Sequence, residues 1–320
     1  MRRREAGRVH ALLGTVLVLA ACGGGRDAGQ AGAADTAAAV DSGPSATIAL
    51  TVDSLQQPEA ARFDPELGVY FVANINGHPA QKDGNGYISR LTRDGKMDSL
   101  KFIAGGRGGV TLNGPKGMAI QGDTLWVADI DAARAFDKRT GKPIATVDLR
   151  GKANFLNDAV VGPDGAIYFT DSGVGDDGKG GLGNKGPDQL FRVMGRKASV
   201  AVGFKDGTAP NGITWDSAGS RFIVVPFGVG SIFTWAPGDS APAVMAEGPG
   251  MMDGIEPLGD GSFLVTTWTD SSLFVLRGDK ITRLINGLPG PADIALDRER
   301  NRVAVPLLIA DRLEFVDFKP

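Results

Sequence analysis

Histidine and cysteine are almost absent from this 320-residue chain, which holds two of the first and one of the second. With Cys22 alone, no disulfide framework can staple the fold, and no thiol nucleophile is available to the rest of the chain. His10 falls in an N-terminal leader and His78 stands by itself in a Gly-rich stretch, so a Ser-His-Asp route is poorly supported. An excess of one charge is missing as well: 34 Lys and Arg face 37 Asp and Glu, without a basic cluster. That balance argues against nucleic acid as a partner. Nor is there an apolar run long enough to span a bilayer as a helix. The longest candidate, Ala11 to Ala21, follows Arg2, Arg3, Arg4 and Arg8 and has the length and flanks of a secretion signal. Helical periodicity is nearly absent beyond it.

What is present divides the chain into three. Residues 1–21 read as the signal, and the box Leu19-Ala20-Ala21-Cys22 resembles the cleavage and lipidation site of bacterial lipoproteins, with Cys22 as the acylated residue. Gly23 after it, in place of an aspartate, points to the outer membrane, facing the periplasm. Residues 22–45 are mostly Gly, Ala, Asp, Ser, Thr and Gln, which cannot bury enough apolar area to offset the entropy of ordering, and read as a flexible tether. The leader's four arginines and one glutamate carry +3, so its loss takes the formal charge from −3 to −6. Residues 46–320 remain as one domain, long for an ordinary core but normal for a closed all-β architecture.

One phrase recurs six times in that domain. It begins at Pro58 (PEAARFDPELGVYFVANI), Pro115 (PKGMAIQGDTLWVADI), Leu156 (LNDAVVGPDGAIYFTDSG), Pro210 (PNGITWDSAGSRFIVVPFG), Met252 (MDGIEPLGDGSFLVTTWTD) and Pro291 (PADIALDRERNRVAVPLLI). Each copy is a short strand of small or branched residues, a turn on Asp or Gly, and a longer strand rich in Val, Ile, Phe, Tyr or Trp. Two further strand-like runs follow most copies, as in YISRLTRDGKMDSLKFIAG. Four antiparallel strands repeated every 40 to 60 residues predict a six-bladed β-propeller. A β-sandwich could space its strands similarly but has no reason to repeat a phrase six times. The last copy ends after its third strand, and ATIALTVD (Ala46 to Asp53) is expected to supply the fourth and close the ring.

In a propeller the first strand of each blade lines the axis, and the residue just before it sits at one mouth of the tunnel. That slot reads Glu59, Lys116, Asn157, Asn211, Asp253 and Ala292. Ring closure gathers these distant residues, and their carboxylate and amide oxygens are the ligands that hard divalent cations prefer. Asn211-Gly212 and Asp253-Gly254 are also favoured turn pairs, so turn chemistry alone competes with this reading. Lys116 is expected either to pair with Glu59, to bind an anionic group of a substrate, or to be a solvated rim lysine. Two insertions, Asn74 to Gly86 and Ser172 to Asp188, are expected to overhang the same mouth. The Asp176-Asp177 pair inside the second lacks the spaced oxygens of a calcium loop.

At Pro58-Glu59, Phe155-Leu156-Asn157-Asp158, Pro210-Asn211-Gly212 and Asp253-Gly254 the chain resembles the gluconolactonase, regucalcin and senescence-marker-protein superfamily of six-bladed propellers. The resemblance implies one divalent metal, Ca²⁺ by preference, held by Glu59, Asn211 and Asp253. It also implies Asn157 as a substrate contact and hydrolysis of a lactone or related ester. With a metal bound, Asp253 is the expected general base, binding metal with one oxygen and accepting the water proton with the other. Lys116 would join Asn157 in orienting the substrate. Phe155 stands where an arginine often precedes the Asn-Asp pair in sugar-lactone members. The paired histidines of paraoxonase-type propellers, which the chain resembles distantly, cannot form. The chain is expected to act as a monomer on a small molecule. The alternative is a non-catalytic envelope propeller that binds a small molecule or a protein.

Overall fold

The computed structural model describes residues 45–319; the leader, Cys22 and nearly all of the tether lie outside them. Six four-stranded antiparallel sheets and one two-stranded hairpin account for the strands. In five sheets the strands follow each other in chain order from the axis outwards. The sixth takes its outermost strand, Ser45–Val52, from the other end of the domain, paired antiparallel with Arg312–Lys319 across one bulge at Ile48/Leu50. The six-bladed propeller and its closing strand are therefore as the repeat predicts. Among the described residues no helix is long and apolar enough to cross a membrane.

Alternation with period two explains why these segments stack as blades and do not form a one-sided sheet. In Val69–Asn74, Phe71 and Ala73 point into the second blade while Tyr70 and Val72 point into the sixth. Both faces of an inner strand are thus buried, each against a different neighbour. Six apolar clusters result, one between each adjacent pair of blades, including the closing pair. The outermost strands have one neighbour and face water: Met97–Ala104 is exposed or half-buried except at its last two residues. At the axis the ring closes by backbone, where Asp293 N donates to Glu59 O at 3.0 Å and Ala61 N donates to Asp293 O at 3.1 Å. Near the rim, Arg93 reaches across from the first blade to grip Asp297 of the last with two hydrogen bonds, at 2.6 and 2.7 Å.

The start of each inner strand is irregular, and that irregularity builds the site. Pairing with the second strand slips at Pro58/Ala60, Pro115/Met118, Leu156/Ala159, Pro210/Ile213 and Met252/Ile255. Glu59, Lys116, Asn157, Asn211 and Asp253 all sit inside these bulges. An extra residue without a pairing partner re-aims its side chain, here from the blade stack towards the axis. Two residues earlier the chain turns sharply: Gln57, Ala209 and Met251 have φ of 49°, 48° and 42°, a left-handed conformation uncommon outside glycine.

The glycines after the slot have a different cause from the turn chemistry considered above. Gly212 and Gly254 do not have positive φ. A Cβ on Gly212 would lie 2.2 Å from the Asp253 carbonyl oxygen, and one on Gly254 would lie 2.7 Å from Asp293 Cα. Each glycine lets the next blade's backbone approach at the axis, so Asn-Gly and Asp-Gly here are contact pairs and not turns. Gly212→Ala is therefore expected to destabilise the domain by about 1–3 kcal/mol and to displace Asp253. Urea unfolding measures the first effect, and an unchanged midpoint would contradict the close approach.

Candidate functional site

Five of the six slot residues line one cavity of about 300 Å³ at the axial mouth: Glu59, Lys116, Asn157, Asn211 and Asp253. The sixth, Ala292, is buried at the axis and brings no polar atom. All five polar residues are at least nine-tenths buried. Their backbones are fixed by neighbouring blades. Thr170 accepts from Asp158 N and donates to Asn211 O at 2.7 Å, while Thr266 accepts from Gly254 N and donates to Ala292 O at 2.9 Å. Asn157 Nδ2 donates to Ser172 Oγ at 3.1 Å, which leaves its carbonyl oxygen free.

Three oxygens in this cavity have no hydrogen-bond partner among the described residues: Glu59 Oε2, Asn157 Oδ1 and Asp253 Oδ1. Unpartnered buried acceptors are unfavourable unless something else satisfies them. Two carboxylates and an amide oxygen, with Asn211 beside them, form a hard, all-oxygen donor set that suits a cation such as Ca²⁺. The electrostatics agree. Burial, then the charge of Asp253, holds the Glu59 carboxyl well above the usual range, with Lys116 opposing. Burial also pushes Asp253 up to about 8 against the smaller effects of the Trp268 indole and Asn211 amide. A positive charge at this point would reverse both shifts.

Lys116 is not a solvated rim residue; its side chain is fully buried. The inner-strand bulge turns it inward, where Nζ donates to Gly114 O at 2.9 Å and lies 4.0 Å from the centre of the Phe155 ring. Among the described residues it forms no direct ion pair, so close pairing with Glu59 is not realised. Burial pushes its ammonium down to about 8, with Glu59 and Asp129 opposing.

The repeat also holds a second ring that the sequence reading missed. The residue just after each second strand is Ile75, Ile130, Ser172, Phe227, Trp268 or Leu308. Five of these donate their backbone N–H to the carbonyl two residues before the slot, in Gln57, Phe155, Ala209, Met251 and Gly290. The same five line the cavity wall. Counting one residue past each second strand would have found them.

The two insertions overhang the mouth as expected. Ile75 and Pro79 from the first and Val174 and Leu182 from the second line the cavity, and Gln81 donates to Asp176 across the gap at 3.0 Å. The second insertion folds into the hairpin Val174–Asp176 and Leu182–Asn184. Asp176 and Asp177 accept from the backbone of its turn, at Gly178, Lys179 and Gly181, which accounts for the pair without a cation.

Further along the axis lies a cluster absent from the sequence reading. Arg62 contacts Glu256 at 2.6 Å, Asp293 at 3.3 Å and Asp158 at 3.6 Å. Burial raises all three carboxyls, and Arg62 opposes the shift in each. For Arg62, burial acts to lower its value, but the three carboxylates outweigh it and the guanidinium stays charged. Arg62 and Glu256 stand three residues after the slot, as charges within strands that otherwise read apolar.

Comparison with known proteins agrees with this architecture. A family profile described as SMP-30/Gluconolactonase/LRE-like region matches residues 84–226. No curated protein matches the chain by sequence. Among solved structures, a gluconolactonase from Xanthomonas campestris is 17% identical, with 83% of this chain and 88% of that one covered at a TM-score of 0.63. A luciferin-regenerating enzyme is 12% identical, covering 87% and 96% at 0.62. A streptogramin B lyase is 13% identical, covering 86% and 98% at 0.59. At such identities these neighbours share the fold, and their activities remain their own.

Proposed function

We propose that this propeller, whose residues 84–226 match the SMP-30/Gluconolactonase/LRE-like region profile, is a divalent-metal-dependent hydrolase of a lactone or related ester. The observation that carries the reading is the convergence of Glu59 Oε2, Asn157 Oδ1 and Asp253 Oδ1, buried and unpartnered, in one cavity. Glu59, Asn211 and Asp253 would hold the cation, with Asn157 as a further oxygen beside them. When bound, a cation of this kind polarises a carbonyl and stabilises the negative charge that develops on its oxygen.

The chain's own residues supply the rest. Lys116 has N–H groups beyond the one given to Gly114, and these orient the carbonyl of the substrate. Asp253 accepts a proton from the attacking water as the water oxygen bonds to the carbonyl carbon. The ring C–O bond then breaks, and Asp253 returns the proton to the departing oxygen, giving a hydroxy acid. The aromatic wall and the two insertions cover part of the mouth, and displacing water there strengthens each of these interactions.

A lactone and ester panel, run after chelation with and without added Ca²⁺, tests the reading. Turnover is expected to vanish on chelation, to return with the cation, and to be lost in Glu59→Ala together with calorimetric Ca²⁺ binding. Turnover indifferent to chelation, or a Glu59→Ala protein that binds its ligand unchanged without metal, would favour a non-catalytic binding propeller.

A further inference from the structure

We infer that the cavity takes a carbonyl carried on an apolar body, an alkyl- or aryl-substituted lactone or ester, and not on a polyhydroxylated sugar ring. The inference deepens the hydrolase reading and rests on it for the reacting group. The choice of body rests on the walls alone.

The ring of residues after the second strands is the first support. Of the five that line the cavity only Ser172 has a hydroxyl, and its one proton is already given, donating to Pro210 O at 2.7 Å while the oxygen accepts from Asn157. Phe227 and Trp268 meet edge to face with ring centres 5.4 Å apart, forming a rigid aromatic corner. Phe155 faces the same space, and Leu182, at the lip, leaves an apolar side chain 44% exposed over the mouth. An exposed leucine on a hairpin above a cavity gains its partner when an apolar ligand enters.

The distribution of hydrogen-bonding atoms is the second support. Gln57 Oε1 already accepts from Gly77 N at 2.7 Å. What remains is the group of acceptors on the floor and three donors on the walls: Lys116 Nζ, Gln57 Nε2 and Trp268 Nε1, the last beside Asp253 without a hydrogen bond to it. With the floor acceptors committed to a cation, the site offers a ligand mainly N–H groups, since Gln57 Oε1 and Ser172 Oγ each already accept one hydrogen bond. A carbonyl oxygen, which only accepts, matches that offer. A hydroxyl both donates and accepts, and a sugar lactone carries several that the apolar wall would leave unpaired. The cavity, about 300 Å³, is at the small end of ligand pockets, so a ligand that reaches the floor has much of its body against these walls.

Two measurements on the wild-type protein with Ca²⁺ decide the matter. Initial rates compare δ-decalactone with δ-gluconolactone, and calorimetry compares binding of the corresponding non-hydrolysable lactams. We expect kcat/KM for δ-decalactone to be higher by about 100-fold or more, the scale on which unmatched polar groups and methylenes discriminate in a closed site. Equal rates, or preference for δ-gluconolactone, overturn the apolar body and leave the hydrolase reading intact. If neither lactone turns over, the hydrolase reading fails and the lactams decide the inference separately. Tighter binding of the alkyl lactam by about tenfold or more upholds it; equal, reversed or absent binding overturns it.

Discussion

Asp253→Asn is expected to lower lactone turnover by about 10³-fold and, in the same protein freed of cations, to raise the melting temperature at pH 9. Both effects come from one buried carboxyl. The amide keeps the shape of the side chain but cannot accept the proton from water, and it contributes no charge to a cation. Stability moves the other way because Asp253 is held at about 8, against a usual value of 3.8. A carboxyl raised in the folded state contributes stability that is complete below its unfolded value and is lost as pH rises through the folded value. At about 1.4 kcal/mol per unit, ionised Asp253 therefore costs the cation-free protein on the order of 5 kcal/mol at pH 9, part of which the amide recovers. Below pH 4 the gain should vanish, and saturating Ca²⁺ should erase it by stabilising the wild type. Thermal melts at pH 4 and 9, with and without cation, together with kcat measurements, check both arms. An asparagine variant less stable at pH 9 would mean that Asp253 is held by partners and not stranded by burial.

Arg62→Met is expected to destabilise the domain by about 3–5 kcal/mol at pH 7, the usual result of leaving buried charges without their counter-ion. The melting temperature should then fall by roughly 6–15 °C. Among the described residues Arg62 is the one cation that forms ion pairs with Asp158, Asp293 and Glu256, with the charge of Arg298 acting on Glu256 as a smaller influence. Asp158 is otherwise tied to the backbone, accepting from Ala159 N at 2.6 Å and Ile213 N at 2.8 Å, whereas Asp293 Oδ1 has no partner among the described residues. All three carboxyls are already raised, so losing Arg62 raises them further. The sign follows: the deficit should be smallest below the unfolded values of about 4, where the carboxyls carry protons in both states, and grow as pH rises. Adding Glu256→Gln to the variant should restore part of the loss by removing one of the stranded charges. A deficit independent of pH would show that the packing of the long arginine side chain, and not its charge, sustains this part of the axis.

The six-bladed ring was legible because every blade solves the same packing problem. Period-two alternation with both faces apolar recurs six times, and a phrase that recurs can be registered against itself. Registration alone located Glu59, Lys116, Asn157, Asn211 and Asp253 at one mouth, since equivalent positions around an axis must converge. It also placed the insertions after Asn74 and Ser172 above that mouth, where they are found. The depth of Lys116 was not legible. A lysine before a strand reads as exposed unless the bulge that turns it inward is known, and a bulge leaves no mark in the residue types. Phe227, Trp268 and Leu308 were passed over for a related reason: each reads as the apolar end of its strand, and only the turn of the chain after that strand makes it a wall.

From its sequence alone, then, this protein is an all-β ring with a polar slot per blade, because the repeat carries its own alignment and closure converts spacing into proximity. Which of those polar atoms are left without a partner was decided only in three dimensions. Asn157 is freed on one side because Ser172 takes its amide, and Asp293 Oδ1 is left over because Arg62 reaches only the other oxygen and the remaining charged neighbours are carboxylates. Hydrogen-bond satisfaction depends on contacts between blades some 40 residues apart in the chain, and residue order does not specify which donors those contacts leave over.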